Sequence, residues 1–169
     1  MNRRRAMTYA SRLDLDTALR AAVLPILQSR LSDTLDLQAQ VKQAHWNLRG
    51  PAFIALHDLF DRIAADIALA ADDTAERIVA LGGYADGRPF RTARDTSLPG
   101  WPERVQAQGA VLDALAASIS AHGRGLRDAI DSTTQIGDAG TADLFTGQSR
   151  QTDKQLWLVE AHLSGMKAE

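Results

Sequence analysis

The sequence predicts an all-α chain: a four-helix bundle whose second and third helices are joined by a long crossover carrying one short helix. Three observations predict it. Apolar residues recur at helical spacing in four separate stretches, and no stretch alternates apolar and polar residues between hairpin turns. A connector rich in proline and glycine separates the first two stretches from the last two. Finally, 169 residues with 45% apolar content suffice for one core but give no sign of a second domain.

The first helix is expected from about Ala18 to Trp46, with Leu24, Leu27, Leu31, Leu35 and Val41 facing inward. Pro25 lacks an amide hydrogen and costs roughly 3 kcal/mol in a helix interior. A break before it, or a start that places it in the first turn, is therefore expected. Leu48-Arg49-Gly50-Pro51 supplies the stop. The second helix should run from Phe53 to Leu81, with Leu56, Phe60, Ile63, Ile67, Ile78 and Leu81 on one stripe and Gly82-Gly83 after it. Residues 84–102 form the crossover. The third helix is expected from Trp101 to His122, its end weakened by Gly123 and Gly125, and the fourth from Thr141 to Ser164, with Leu144, Leu156, Val159 and Leu163 inward.

Composition narrows the chemistry. No cysteine is present, which excludes disulfide scaffolds, thiolate zinc sites, iron–sulfur clusters and cysteine nucleophiles. The formal charge of −2 argues against a uniformly basic nucleic-acid binder, but it is unevenly spread. Residues 1–13 carry +4 through Arg3, Arg4, Arg5 and Arg12, leaving −6 for residues 14–169. Residues 1–14 are expected to form a flexible basic arm and residues 15–169 the bundle. Neither a signal-peptide core nor a membrane-spanning apolar run is legible, so a cytoplasmic location is expected.

The chemically informative group lies on the second helix. At 100° per residue, with His57 at zero, Asp61 falls at about 40°, Asp72 at about 60° and Glu76 at about 100°. The apolar stripe lies at about −60° to −120°, so the His and acid group occupies a face that does not fill the bundle. Any one of these residues alone is an ordinary occupant of a solvated helix face. Two ligand-type pairs on one face, with His45 nearby across the turn, suggest a metal site. Asp61 and Asp72 are about 16 Å apart along the axis, so one helix cannot bring both pairs to one ion. A second copy packed antiparallel across a two-fold axis would, with His57 and Asp61 of one chain facing Asp72 and Glu76 of the other. Imidazole with carboxylates and no sulfur suits iron or manganese and would accept zinc. The Glu-x-x-His pairs expected of an intrachain di-iron bundle do not occur.

Residues 42–51, Lys-Gln-Ala-His-Trp-Asn-Leu-Arg-Gly-Pro, followed by Phe53-Ile54-Ala55-Leu56-His57-Asp58-Leu59-Phe60-Asp61, resemble the signature of the Dps family, the DNA-binding proteins from starved cells. Asp72-Asp73-Thr74-Ala75-Glu76-Arg77 with Leu81-Gly82-Gly83, Thr141-Ala142-Asp143-Leu144, and Asp153-Lys154-Gln155-Leu156-Trp157 resemble it as well. The likeness extends from about Leu24 to His162. It implies a ferritin-like subunit in a hollow homododecamer that oxidises Fe(II), generally preferring hydrogen peroxide over dioxygen, and stores a ferric mineral. By the same resemblance, His45, His57 and Asp61 of one subunit and Asp72 and Glu76 of its two-fold partner form the ferroxidase centre. Trp46 corresponds to tryptophans proposed to intercept radicals, and is equally explained as a packed interface aromatic. Acidic three-fold pores make Asp138 and Asp143 pore candidates, Asp138 serving alternatively as a helix-end acid. In the family, DNA and nucleoid binding often uses such basic termini, although many members lack it; the alternative for this arm is docking on its own acidic shell. A DNA-compacting structural protein with an incidental metal site is the rival reading, and a zinc- or manganese-bound assembly without turnover a third. His122 and His162 match no motif and are expected to be structural or surface residues.

Overall fold

A computed structural model describes residues 11–164. Its elements are α1 (Thr17–Asn47), α2 (Phe53–Ala80), α3 (Pro89–Asp95), α4 (Gln108–Ile136) and α5 (Ala139–Ser164). Helix α1 packs against both α2 and α4, and α4 packs along α5; α3 rides on α1, while α2 and α5 touch only lightly. Four long helices and a short helix in the crossover match the expected architecture. Arg3, Arg4 and Arg5 lie outside the described residues.

Helix α1 starts at Asp16, whose carboxylate accepts from the amides of Ala18 at 2.6 Å and Leu19 at 3.4 Å. The break expected at Pro25 does not occur: α1 passes through it without interruption. Pro25 and Ala21 are both exposed, so the carbonyl that loses its intrahelical partner lies on the solvent side of the helix, where water can satisfy it.

The third long helix also departs from expectation at both ends. It begins at Gln108 rather than Trp101 because residues 98–107 are held as a loop. Gln40 donates to the Pro99 carbonyl at 2.9 Å, Arg104 adopts a left-handed φ of 55°, and Arg49 pairs with residues 106 and 108 through its own amide and carbonyl. It then runs through Gly123 and Gly125 to Ile136. The glycines serve close packing: a Cβ on Gly125 would lie 1.6 Å from Nη1 of Arg30 on α1. The true end is Gly137, at φ 95°, whose amide bonds back to the carbonyls of Thr133 and Thr134.

The core is divided. One cluster gathers Leu37, Val41, Leu56, Phe60, Ile63, Leu112, Leu115, Ile119 and Val159 at one end of the bundle. A second gathers Val23, Leu27, Leu31, Ala71, Ile78, Leu81, Leu126 and Phe145 at the other. Between them lies a buried polar waist that includes Asp33, Thr34, His122 and Thr152. Asp33 is fully buried, yet it pairs with Arg30 at 2.8 Å and accepts from the amide and hydroxyl of Ser97, tying the crossover to α1. Leu35, Leu144, Leu156 and Leu163, expected in the core, are only partly buried at its margins.

Candidate metal centre

The turn between α1 and α2 brings His45 and His57 together. Gly50 and Pro51 reverse the chain, and Gln108 fixes the turn by accepting from the Ala52 amide at 2.9 Å while packing against Gly50. The two imidazoles stack with centroids 3.7 Å apart and planes 22° from parallel. Each Nδ1 lies within hydrogen-bond distance of the other residue's backbone carbonyl: His45 Nδ1 to His57 at 2.9 Å, His57 Nδ1 to His45 at 3.1 Å. A carbonyl only accepts, so both rings carry their proton on Nδ1 and keep the Nε2 lone pair for a ligand. Phe53 covers His57 with a centroid separation of 5.2 Å.

Asp61 sits one turn beyond His57, its carboxylate oxygen 4.0 Å from His45 Nε2. It is exposed, and the nearest cation is Lys42, whose ammonium donates to Asp61 Oδ1 at 2.7 Å. This hydrogen bond, together with the Lys42 charge, holds the Asp61 carboxyl below its ordinary value. The same ammonium lies 5.9 Å from the Trp46 ring, which is 67% exposed. Lys42 is the site residue that pattern reading missed. Its signal was position: three residues before His45, it lies on the same helix face.

Asp72 and Glu76 are exposed on the same face of α2, further along the helix, while Leu56, Phe60, Ile63, Ile67, Ile78 and Leu81 are buried on another. Among the described residues, no three His, Asp or Glu side chains converge closely enough to hold an ion. Within one chain, His45, His57 and Asp61 therefore gather beside the start of α2, while Asp72 and Glu76 lie apart from them further along the helix.

The remaining candidates separate. Asp138 is buried and caps α5: it accepts from the amide of Thr141 at 3.0 Å, its hydroxyl at 2.6 Å and Nη2 of Arg77 at 2.7 Å. Burial acts to raise its carboxyl, but the Thr141 bonds and the Arg77 charge outweigh this and hold it below the ordinary value. Asp143, one turn into α5, is exposed, as is Arg12 before α1. His122 is 3% exposed in the polar waist. Burial, aided by Arg30 and opposed by Asp33, pushes it down to about 4. His162 is half-buried, with Nδ1 2.8 Å from the Leu158 carbonyl. Among the described residues, no helix is long and apolar enough to cross a membrane.

The ferritin-like domain pattern matches residues 25–168. The chain is 39% identical over 156 residues to the DNA protection during starvation protein of Agrobacterium fabrum, covering 92% of this chain and 96% of that one. Among solved structures, DpsC from Streptomyces coelicolor superposes with a TM-score of 0.88 at 32% identity, covering 93% of this chain and 92% of that chain. Dps from Microbacterium arborescens in the high iron form superposes with a TM-score of 0.83 at 34% identity, over 92% of this chain and 99% of that chain. With these likenesses across almost the whole length, the chain belongs to the Dps family of ferritin-like proteins.

Proposed function

We propose that the protein oxidises Fe(II) and stores the ferric product, at centres completed only when two chains meet. His45, His57 and Asp61 of one subunit would bind iron together with Asp72 and Glu76 of the partner subunit. One observation carries this reading: the reciprocal Nδ1–carbonyl bonds leave both Nε2 lone pairs uncommitted, that of His45 4.0 Å from the Asp61 carboxylate, in a chain whose own remaining acids lie too far along α2 to close the set. Antiparallel pairing of α2 about a two-fold axis supplies the missing half and makes two equivalent sites per pair. Closing twelve such chains into a hollow shell, as the family resemblance implies, provides a space for mineral.

The site's donors set its chemistry. Neutral imidazole and carboxylate bind Fe(II), and the anionic oxygens favour the ferric state. With hydrogen peroxide as preferred oxidant, two ferrous ions give one electron each. The O–O bond breaks and two protons complete two waters, so no hydroxyl radical is released. Dioxygen is the slower alternative. Exposed Trp46, beside His45, would take up a stray oxidising equivalent. Asp143, unlike the capping Asp138, is exposed to passing cations and is the stronger pore candidate of the two.

Stopped-flow oxidation of Fe(II) with peroxide and with dioxygen tests the reading. His57→Ala and Asp61→Ala should both slow it, and unchanged rates would sink it. Co-assembly decides the split. Chains carrying His57→Ala mixed with chains carrying Glu76→Ala should regain part of the activity, because one site of each mixed pair is intact. Failure to regain any would contradict sharing between chains.

The relatives named for DNA protection, and the +4 at residues 1–13, support a further role in non-specific DNA binding in the cytoplasm through Arg3, Arg4, Arg5 and Arg12. A low-salt mobility shift with residues 2–12 deleted tests it; undiminished binding would exclude the arm.

A further inference from the structure

The two halves of the proposed iron site are held in different ways. His45 and His57 fix one another across the α1–α2 turn. Asp72 and Glu76 are exposed, and among the described residues neither carboxylate makes a hydrogen bond or ion pair of its own. Their placement is therefore set by the stretch of α2 that carries them. That helix packs closely on α1 but meets α5 only lightly. Apolar contacts are non-directional, so they resist a roll or slide of the helix less than aimed hydrogen bonds do.

On its lightly packed side α2 is tied by polar contacts instead. Gln151 donates to Asp66 at 2.8 Å, and Gln148 donates to the Ala70 carbonyl at 3.0 Å and to Thr74 Oγ1 at 2.9 Å. Arg77 adds a charged tie, its Nη2 donating to Asp138 Oδ1 at 2.7 Å and its Nε to Thr141 Oγ1 at 3.0 Å. The Thr141 hydroxyl donates onward to Asp138 at 2.6 Å, so the guanidinium ends on a buried carboxylate that caps α5. With His57 at zero on the helical wheel, the tied positions of α2 fall at about 180° to 260° and Glu76 at about 100°. The ties thus hold the helix from behind its exposed carboxylates, and Arg77 directly follows Glu76 in the chain.

We propose that Arg77 is a positioning residue for the acid half of the iron site: by clamping the last turns of α2 to the start of α5, it sets where Asp72 and Glu76 of its own chain meet the histidines of the partner subunit. This role rests on the sharing of the site between two chains proposed above, and it confines the effect of losing Arg77 to one half of that site. Loss of an outer contact that orients metal ligands typically costs 10–100-fold. Arg77→Met should therefore slow Fe(II) oxidation by peroxide about tenfold and weaken Mn²⁺ binding, read by equilibrium dialysis of the assembled protein, by a similar factor.

Mixed assemblies locate the defect. In a random mixture of Arg77→Met with His57→Ala chains, about a quarter of all sites join an intact histidine half to an unaltered acid half, and the rate should approach a quarter of wild type. Mixed with Glu76→Ala chains, no site has an unaltered acid half, and the rate should be about fivefold lower than in the first mixture. Asp138→Asn keeps a capping oxygen for α5 but not the charge that Arg77 meets, and should show the same asymmetry even where Arg77→Met fails to assemble. Equal rates in the two mixtures would overturn the proposal, because a chain weakened throughout impairs both halves alike. Wild-type rates and Mn²⁺ affinity in both variants would overturn it as well. A control mixture of His57→Ala with Glu76→Ala separates the two readings. If the control recovers activity while the test mixtures stay equal, only the role of Arg77 falls; if the control stays inactive, the shared site falls and the role of Arg77 with it.

Discussion

His45 and His57 each hold the other's ring in place: every Nδ1 reaches across the α1–α2 turn to its neighbour's backbone carbonyl, and the rings stack 3.7 Å apart. Neither orientation is independent of the other. His57→Ala should therefore remove one ligand and release the second, lowering the Fe(II) oxidation rate by at least about tenfold, as loss of orienting contacts typically does. His57→Gln retains a polar side chain but not the stack and should recover little. Rates within twofold of wild type in both variants would contradict the coupling.

Lys42 occupies Asp61 before any metal arrives. Binding a cation at Asp61 must displace that ammonium, so Lys42→Met should tighten Mn²⁺ binding. Asp61 is exposed and Lys42 partly so, and water screens such a pair, so the gain should not exceed roughly fivefold. Because Lys42 lies 5.9 Å from the Trp46 ring, tryptophan fluorescence in a Mn²⁺ titration reports the displacement. Weaker binding in the variant would mean that Lys42 assists the site.

His122 is buried in its neutral form, with its value moved from 6.5 to about 4. The sign follows from linkage. The unfolded chain binds a proton below pH 6.5 that the folded chain refuses until about pH 4, so stability is full above pH 6.5 and is lost between those values. The loss should amount to about 3 kcal/mol per chain. Melting curves from pH 7 to pH 4 should flatten in His122→Gln relative to wild type; parallel curves would remove His122 as the cause.

Gly125 and Gly147 are both helical glycines with opposite surroundings. A methyl on Gly125 meets the guanidinium of Arg30, which its ion pair with Asp33 keeps in place, whereas one on Gly147 meets nothing within 4 Å. Gly125→Ala should destabilise by more than about 2 kcal/mol. Gly147→Ala should stabilise by up to about 1 kcal/mol through helix propensity. Thermal melting distinguishes the two, and equal effects would show that the α1–α4 approach is not limiting.

Periodicity made the bundle and its crossover legible, and the wheel separated the histidine and acid face of α2 from its core stripe. Local rules failed where tertiary context outweighed them. Pro25 reads as a breaker until its solvent-facing position is known, and Gly123-Arg124-Gly125 reads as a terminus until Arg30 is seen against it. Five ligand candidates were legible by type and spacing. Lys42 and the Nδ1–carbonyl exchange were not, because both depend on how two helices meet. The capping of α5 by Asp138 was legible only as an alternative; its pairing with Arg77 across the bundle was not.

The polar waist has a consequence for how damage spreads. His45, His57 and Asp61 are anchored beside one apolar cluster, Asp72 and Glu76 beside the other. In the proposed pairing, each iron centre leans on the first cluster of one chain and the second cluster of its neighbour. A lesion that loosens either end of the bundle in every chain would thus impair both centres of each pair, and no repacking at one end could compensate for weakness at the other.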